Sequence, residues 1–498
     1  MAKLYIFGIG GTGSRVIKSL TMLLASGCKL ENGFETIVPV IIDPDTSNGD
    51  LNRTKDILKL YQQIRNQVHH PDDFFGQEVK TVNDLANNTS DINSDHFQFT
   101  LSNVDQQTFG DYIGFNSLKE DYSNSNDDKN FTRLLYSEKN INSNLNVGFK
   151  GNPNMGAIVL NQFTDSEDFK RFGQTFTDGD AVFIINSIFG GTGAAGFPLL
   201  LKNLRGNDNI PNSVKIKGSK IGGITYLPYF ALSKKDDNDE INSDSFYDKA
   251  KIAMDYYNRT IINQNQIDSL YFIGNSGNNK HLDYAVGGKE QKNNAHFLEM
   301  AGALAVFDFC KNINTYNNNT QIKEFGIEND SKEITFGDLN INNYKEIARP
   351  LTKFKIFTEY LNIGLPKALS VSRWTKSNIK LVKETEKSNL DKEYFNRHEY
   401  NTQIKVFNEY FNDWLDEMDN NKPAFSPFNN IKWDDALDLV KGEPTQKRSK
   451  SLKAIDTENC RLITEKNFRP TKDTMHTTLI KMFAKSIDNV LDKHNLLK

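Results

Sequence analysis

Two glycine-rich segments carry the clearest chemistry in the sequence. Residues 8–14 (GIGGTGS) and 189–196 (FGGTGAAG) each follow a short apolar run and precede an amphipathic stretch. Glycine lets main-chain N–H groups approach an anion without interference from a Cβ atom, and the helix N-terminus behind such a turn carries partial positive charge. The pair therefore predicts one nucleotide whose phosphates are held from two sides. The candidate binding residues are Gly10, Gly11, Thr12, Gly13, Ser14, Gly190, Gly191, Thr192 and Gly193.

The segments around these turns predict the fold that positions them. Continuous apolar runs lie at residues 4–7, 37–42, 181–185, 221–227 and 270–273. Because stretches of helical periodicity separate them, they predict an α/β fold with a mostly parallel sheet and ligands at the carboxyl ends of the strands. Asp43 and Asp45 follow the second run, and we interpret them either as part of the ligand site or as caps of the next element.

Two other parts of the chain have different patterns. Residues 46–147 are more polar, which predicts a helical, loop-rich insertion. After about residue 340 apolar residues recur at helical spacing, as in Phe407, Phe411 and Trp414, and this predicts a mainly helical C-terminal region. We expect a nucleotide-binding domain over residues 1–310 and a helical region over 311–498.

The composition limits the classes of partner. The 498 residues are 37% hydrophobic and carry a net charge of −4, with basic residues dispersed among acidic ones. A sizeable core is therefore expected, and a nucleic-acid partner is not. The apolar run at the N-terminus is too short for a signal peptide, and no run approaches the ~20 residues of a membrane span. These features predict a cytoplasmic protein.

The second glycine-rich segment resembles a known signature. Residues 189–193 (FGGTG), with Pro198 after them, resemble the signature loop of the tubulin and FtsZ superfamily, especially its divergent bacterial tubulin-like members. The central Gly-Gly-Thr-Gly is intact, whereas Phe189 and Ala195 stand where the signature has glycines. The resemblance implies a tubulin/FtsZ-like nucleotide-binding domain in which this loop wraps the phosphates and Thr192 supplies a hydroxyl group.

Two further segments resemble phosphate loops of the same family and follow its order along the chain. Residues 8–14 resemble its first phosphate loop. Residues 148–156 (GFKGNPNMG) resemble the loop that closes over the terminal phosphate. This match adds Gly151 and Asn152 to the implied binding residues.

The resemblance also implies residues that contact the base. Residues 273–275 (IGN) resemble the strand end at which an asparagine, here Asn275, bonds the guanine edge. The family's next base contact lies on a long central helix. Here the implied residue is Asn294 or Phe297, one of which would pair with or stack on the base.

The function implied by the resemblance is guanine-nucleotide binding. The ligand would be GTP or GDP with Mg²⁺, and the protein would be a nucleotide-dependent switch or a self-assembling scaffold whose helical C-terminal region binds an unknown protein partner. Hydrolysis in this family uses paired acidic residues in a loop after the central helix. Residues 334–339 (ITFGDL) offer only Asp338. Nucleotide binding is therefore better supported than catalysis, and weak GTPase activity stays an open prediction.

Three alternatives remain. Residues 8–14 also resemble the GxGGxGS loop of ThiF-like ATP-dependent adenylating enzymes, in which Asp43 would bind ribose and Arg53 a phosphate. That class gives no reason for residues 148–156 or 189–196, and its CxxC zinc pair is absent from the sequence. A dinucleotide-binding Rossmann enzyme would also use the first glycine-rich turn. The third alternative is a non-catalytic scaffold in which the nucleotide is structural.

Overall fold

The structure is a computed structural model that describes residues 2–68, 73–86, 97–99, 101–102, 104, 106–118, 123–233, 244–275, 281–283, 288–325, 333–376, 390–430, 437–443, 452–463 and 474–497. The described strands are β1 (Ala2–Ile9), β2 (Phe34–Ile42), β3 (Glu78–Val79), β4 (Ala181–Ser187), β5 (Ile221–Tyr226), β6 (Ala231–Ser233), β7 (Ser269–Ile273), β8 (His281–Asp283), β9 (Gln321–Phe325), β10 (Glu333–Ile334) and β11 (Ala424–Phe425). The described α-helices are α1 (Gly10–Ala25), α2 (Gly49–Gln67), α3 (Val82–Leu85), α4 (Phe109–Tyr112), α5 (Ser123–Leu135), α6 (Glu138–Ile141), α7 (Pro153–Leu160), α8 (Glu167–Thr175), α9 (Gly191–Gly206), α10 (Ser213–Gly218), α11 (Asp244–Tyr257), α12 (Phe297–Asn312), α13 (Ile341–Glu359), α14 (Leu365–Val371), α15 (Lys392–Phe395), α16 (Lys405–Asp419), α17 (Lys453–Leu462) and α18 (Met475–His494).

A parallel sheet forms the centre of the described part of the chain. Its seven strands have the order β3-β2-β1-β4-β5-β7-β9, and all neighbouring strands run parallel. The five apolar runs of the sequence correspond to β1, β2, β4, β5 and β7, since strands covered on both faces need apolar side chains at successive positions. The predicted α/β fold with a mostly parallel sheet is confirmed.

Helices α1 and α9 begin at the two glycine-rich turns. Helix α1 packs against α2 and α12, and α9 packs against α7 and α10. Residues 12–25 of α1 are all buried. The polar side chains on this helix therefore need partners inside the protein.

The C-terminal region is mainly helical, as predicted, and it packs on the N-terminal half of the chain. The ring of Phe354 on α13 lies 5.7 Å from that of Phe75 and 4.7 Å from that of Phe411 on α16. The ring centres of Tyr61 on α2 and Phe407 on α16 are 6.3 Å apart. The two halves thus share one hydrophobic core. No described helix combines the length and the apolar character needed to cross a membrane.

The central sheet and its helices include residues outside the bounds expected from the sequence, both after residue 310 and within residues 46–147. Strand β9 extends the sheet beyond residue 310 by pairing with β7. Within residues 46–147, α2 packs on α1 and β3 pairs with β2. Helix α2 looked polar because its outer face is charged, whereas Ile57, Leu58 and Tyr61 on its inner face are buried. Part of the expected insertion therefore belongs to the central α/β layers.

Candidate functional site

The two glycine-rich turns lie side by side at one edge of the sheet. Strands β1 and β4 are neighbours, and Gly8 of β1 is in register with Ile185 of β4. The chain places β2 on one side of this pair and β5 on the other. The carboxyl ends of β1 and β4 are therefore the switch point at which parallel α/β sheets bind ligands.

The two turns face each other at close range. A Cβ atom placed on Gly10 would lie 3.5 Å from Thr192 Cβ and 3.6 Å from the Gly193 nitrogen. Gly10 has a φ of +74°, a left-handed conformation that favours glycine. The N-termini of α1 and α9 thus converge, and both helix dipoles favour an anion at this point.

A third loop joins them. A Cβ atom on Gly191 would lie 3.2 Å from the Gly151 nitrogen and 3.1 Å from the Asn152 nitrogen. The ammonium group of Lys249 on α11 donates a hydrogen bond of 2.9 Å to the Gly151 carbonyl. Main-chain segments from residues 8–14, 148–156 and 189–193 therefore meet.

Some glycines of these turns have a packing role. A Cβ atom on Gly13 would lie 2.5 Å from the Gly8 carbonyl carbon, and one on Gly193 would lie 2.7 Å from the Ser187 oxygen. Backbone atoms cannot move aside at such distances, so these two positions allow a helix to approach the strand before it. Gly11, Gly190 and Thr192 are instead partly exposed.

The hydroxyl groups of the first turn point inward. The buried Ser14 donates to the Gly10 carbonyl at 3.3 Å. Thr12 is 6% exposed and accepts a hydrogen bond from the Arg15 guanidinium at 3.4 Å. The hydroxyl groups of Thr12 and Ser14 are therefore engaged within the protein.

Asp43 and Asp45 hold the loop after β2. The Asp43 carboxylate accepts a hydrogen bond from the Asp45 N–H at 3.0 Å. Asp45 accepts hydrogen bonds from Ser47 and, at 2.7 Å, from the Gly288 N–H. Helix α2 is capped by Asn48 instead, so the capping interpretation of the two aspartates does not describe this structure.

Burial changes the titration of Asp43. Its carboxyl is buried, which raises its pKa to about 7. Because the folded-state pKa exceeds the unfolded value of about 3.9, the contribution of Asp43 to stability is full below about pH 4 and is lost as pH rises through 7. Asp43→Asn should therefore remove a decline of up to about 1.4 kcal/mol per pH unit between those values.

Urea unfolding from pH 4 to 8 measures this effect. The matched control is Asp56→Asn, at an exposed position of α2, which should keep the pH dependence of the original chain. Equal slopes in Asp43→Asn and the original chain would show that Asp43 titrates normally.

The predicted base contacts occupy different surroundings. Asn275 is half-buried just after β7, and its N–H donates to the Pro228 carbonyl at 3.3 Å. Asn294 is exposed shortly before α12. Phe297 is 1% exposed, with its ring 5.3 Å from that of Phe425. The Phe297 ring is therefore not accessible to a base in this conformation.

Asp338 belongs to a local turn. It is exposed, and its carboxylate accepts hydrogen bonds from the Thr335 N–H at 2.7 Å and hydroxyl at 2.8 Å. These contacts cap the short helix Phe336–Asp338. The Asp338 carboxylate therefore stabilises its own turn. That it positions the attacking water in nucleotide hydrolysis stays a prediction.

Sequence analysis missed a buried ionic network behind the first turn. Arg15 on α1 contacts Asp50 at 3.1 Å, Glu299 at 2.5 Å and the Tyr229 hydroxyl at 2.9 Å. The Asp50 carboxylate also accepts hydrogen bonds from Asn293. This network connects α1, α2 and the start of α12.

The network continues into the C-terminal region through Glu417 of α16. Its carboxylate pairs with Lys18 at 3.0 Å and with Arg53, and it accepts the Ala295 N–H at 2.8 Å. Burial lowers the pKa of Lys18, and Glu417 opposes that shift. Arg53 also pairs with Asp50 at 3.0 Å, and its role as a phosphate ligand of an adenylating enzyme stays a prediction. Arg15 and Lys18, the two charged residues of α1, were the available signal in the sequence.

Comparisons with known proteins give loose structural matches. No protein-family model and no curated protein matches the chain. CetZ from Methanosaeta thermophila strain DSM 6194 is 13% identical over 63% of this chain and 54% of that chain, with a TM-score of 0.28. CetZ2 from Haloferax volcanii, a GTPgS-bound protofilament, is 13% identical over 63% of this chain and 59% of that chain, with a TM-score of 0.29. The chain thus matches little more than half of either CetZ protein, and similarity this low carries no argument about function.

Proposed function

We propose that the chain is a divergent tubulin-like protein that binds GTP or GDP with Mg²⁺ and acts as a nucleotide-dependent switch or self-assembling scaffold. The observation that carries the proposal is the convergence of residues 8–14, 148–156 and 189–193 at the switch point of the sheet. An adenylating or dinucleotide-binding enzyme accounts for the first segment alone. The three segments also follow the order that the resemblance to the tubulin and FtsZ superfamily implies.

Main-chain groups would hold the phosphates. The N–H groups at the starts of α1 and α9 would donate to phosphate oxygens, together with the half-exposed Thr192 hydroxyl. Gly151 and Asn152 would close over the terminal phosphate, and Lys249 fixes this loop through the Gly151 carbonyl. Two converging helix N-termini fit a polyanion, and a bound Mg²⁺ would neutralise part of the phosphate charge.

The base would lie toward the end of β7. Asn275 is the proposed guanine contact because its side chain can both donate and accept hydrogen bonds. Asn294 is the second candidate, since it is exposed shortly before α12. Asp338 does not enter the proposal, because its carboxylate caps its own turn.

The bound nucleotide identifies the function most directly. The full chain should be purified without added nucleotide and denatured, and the released compound should be identified by chromatography. We expect GTP or GDP. Release of AMP or NAD, or exchange between ATP and pyrophosphate, would instead favour an adenylating or a dinucleotide-binding enzyme.

Gly190→Val tests the second loop. Gly190 is half-exposed and has an extended backbone that valine can adopt, and an added Cβ would approach only the Ser187 hydroxyl, at 3.2 Å. The side chain would occupy the space of the phosphate, so we expect affinity to fall about thirtyfold, or about 2 kcal/mol. Titration with a fluorescent guanine nucleotide measures the change.

The matched control is Gly218→Val, where an added Cβ meets nothing within 4 Å. This variant should bind the nucleotide as tightly as the original chain. Unchanged affinity in a folded Gly190→Val variant would remove this loop from the site.

A further inference from the structure

Helix α5 presents an apolar face that the described chain does not cover. Phe131, Leu134 and Leu135 are 62%, 84% and 55% exposed. Their spacing of three and four residues places them on one side of the helix. Asp127 and Asp128 are exposed and precede Phe131 by four and three residues, on the same side. We call these five residues the α5 face.

A groove of complementary character lies between α9 and α11, beside α7. Its volume is about 940 Å³. Pro198 and Leu201 contribute from α9, and Ile252 and Tyr256 from α11. Ile252 is 73% exposed and Tyr256 50%, so the apolar wall is open. We call this surface the α9/α11 groove.

The charges of the groove have one sign. Among the described residues, its lining includes Lys202, Arg205 and Lys249 and no aspartate or glutamate. Arg205 is paired with Asp268 at 3.0 Å, whereas Lys202 and Lys249 form no salt bridge within the described residues. The groove therefore suits an apolar helix that carries carboxylates.

We propose that the α5 face of one copy docks in the α9/α11 groove of a second copy. Apolar side chains of α5 would contact Ile252 and Tyr256, and Asp127 and Asp128 would approach Lys202 and Lys249. This is the helix-in-groove mode of recognition. The α5 face does not line the groove of its own chain, so the proposed contact would join two molecules.

The two surfaces differ, so each copy would offer one helix and one groove. Such a head-to-tail contact can propagate into a ring or an open filament. Since one helix buries less area than a standard interface of about 1,600 Å², we expect reversible association that depends on protein concentration. Lys249 also holds the Gly151 carbonyl, which places the groove next to the proposed phosphate loop.

Mixing two variants tests the proposal. Leu134→Asp disrupts the α5 face and leaves the α9/α11 groove intact. Ile252→Asp disrupts the α9/α11 groove and leaves the α5 face intact. Self-association is measured by sedimentation velocity on the full chain at ~1–100 μM, a range suited to weak association. The association constant of each variant alone should be at least tenfold lower than that of the original chain. An equimolar mixture should form a 1:1 dimer that does not grow further.

Val214→Asp is the matched control, because Val214 lies on α10 and is 83% exposed. It should associate like the original chain. Monomers of the original chain at the highest concentration, or a mixture that stays monomeric, would overturn the proposal. The inference uses the self-association part of the proposed function, so the bound nucleotide is identified on the same preparations. GTP or GDP in a chain that does not associate would leave nucleotide binding standing and reject this surface.

Discussion

Glu417→Ala is expected to lower the free energy of unfolding by about 3–5 kcal/mol. The substitution removes the carboxylate that pairs with Lys18 and Arg53. The Lys18 side chain is 2% exposed, so its charge would stay in the protein without a partner, and such a charge costs more than an exposed one. Urea unfolding at neutral pH, followed by circular dichroism, measures the loss.

The comparison for this variant is Glu409→Ala on the same helix. Glu409 is exposed, so its removal should change the free energy of unfolding by less than about 0.5 kcal/mol. A similar loss of unfolding free energy in both variants would mean that any alanine substitution on helix α16 destabilises the protein, whether or not it removes an ion pair. A negligible loss in Glu417→Ala would show that the pairing of Glu417 with Lys18 and Arg53 does not stabilise the fold.

Gly13→Val should destabilise the fold by about 3 kcal/mol or more. A Cβ at this position would lie 2.5 Å from the Gly8 carbonyl carbon and 3.1 Å from the Ile185 oxygen. Helix α1 would have to move away from the sheet, and the two branches of valine add to the overlap. Soluble yield and thermal unfolding measure the effect.

Gly11→Ala provides the contrast, two residues away in the same turn. An added Cβ there meets only the end of the Arg15 side chain, at 3.5 Å, so the variant should fold normally. Gly13 and Gly11 look alike in the sequence. A normally stable Gly13→Val variant would show that α1 can shift without loss, contrary to the packing seen here.

The main sheet could be predicted because its signals are local. Each buried strand is a short apolar run, and the two turns that matter most follow β1 and β4 directly. Parallel strands then bring those turns to one edge, whatever separates them in sequence. The convergence of residues 8–14 and 189–193 was therefore accessible without a structure.

The remaining parts depend on contacts between distant residues. Lys18 and Glu417 are 399 positions apart, and no local pattern pairs them. The surroundings of Phe297 are likewise set by Phe425 and by the capping box of His296 and Glu299. The family resemblance implied Asn294 or Phe297 as the base contact, whereas long-range packing buries Phe297.

The contact of Glu417 with the first helix limits how this protein can be recombined. A chain cut near residue 340 would lose the acid that neutralises Lys18 and Arg53, so the C-terminal helices are not a detachable appendage of the α/β layers. Any graft of foreign sequence after that point would have to supply a carboxylate at the same place.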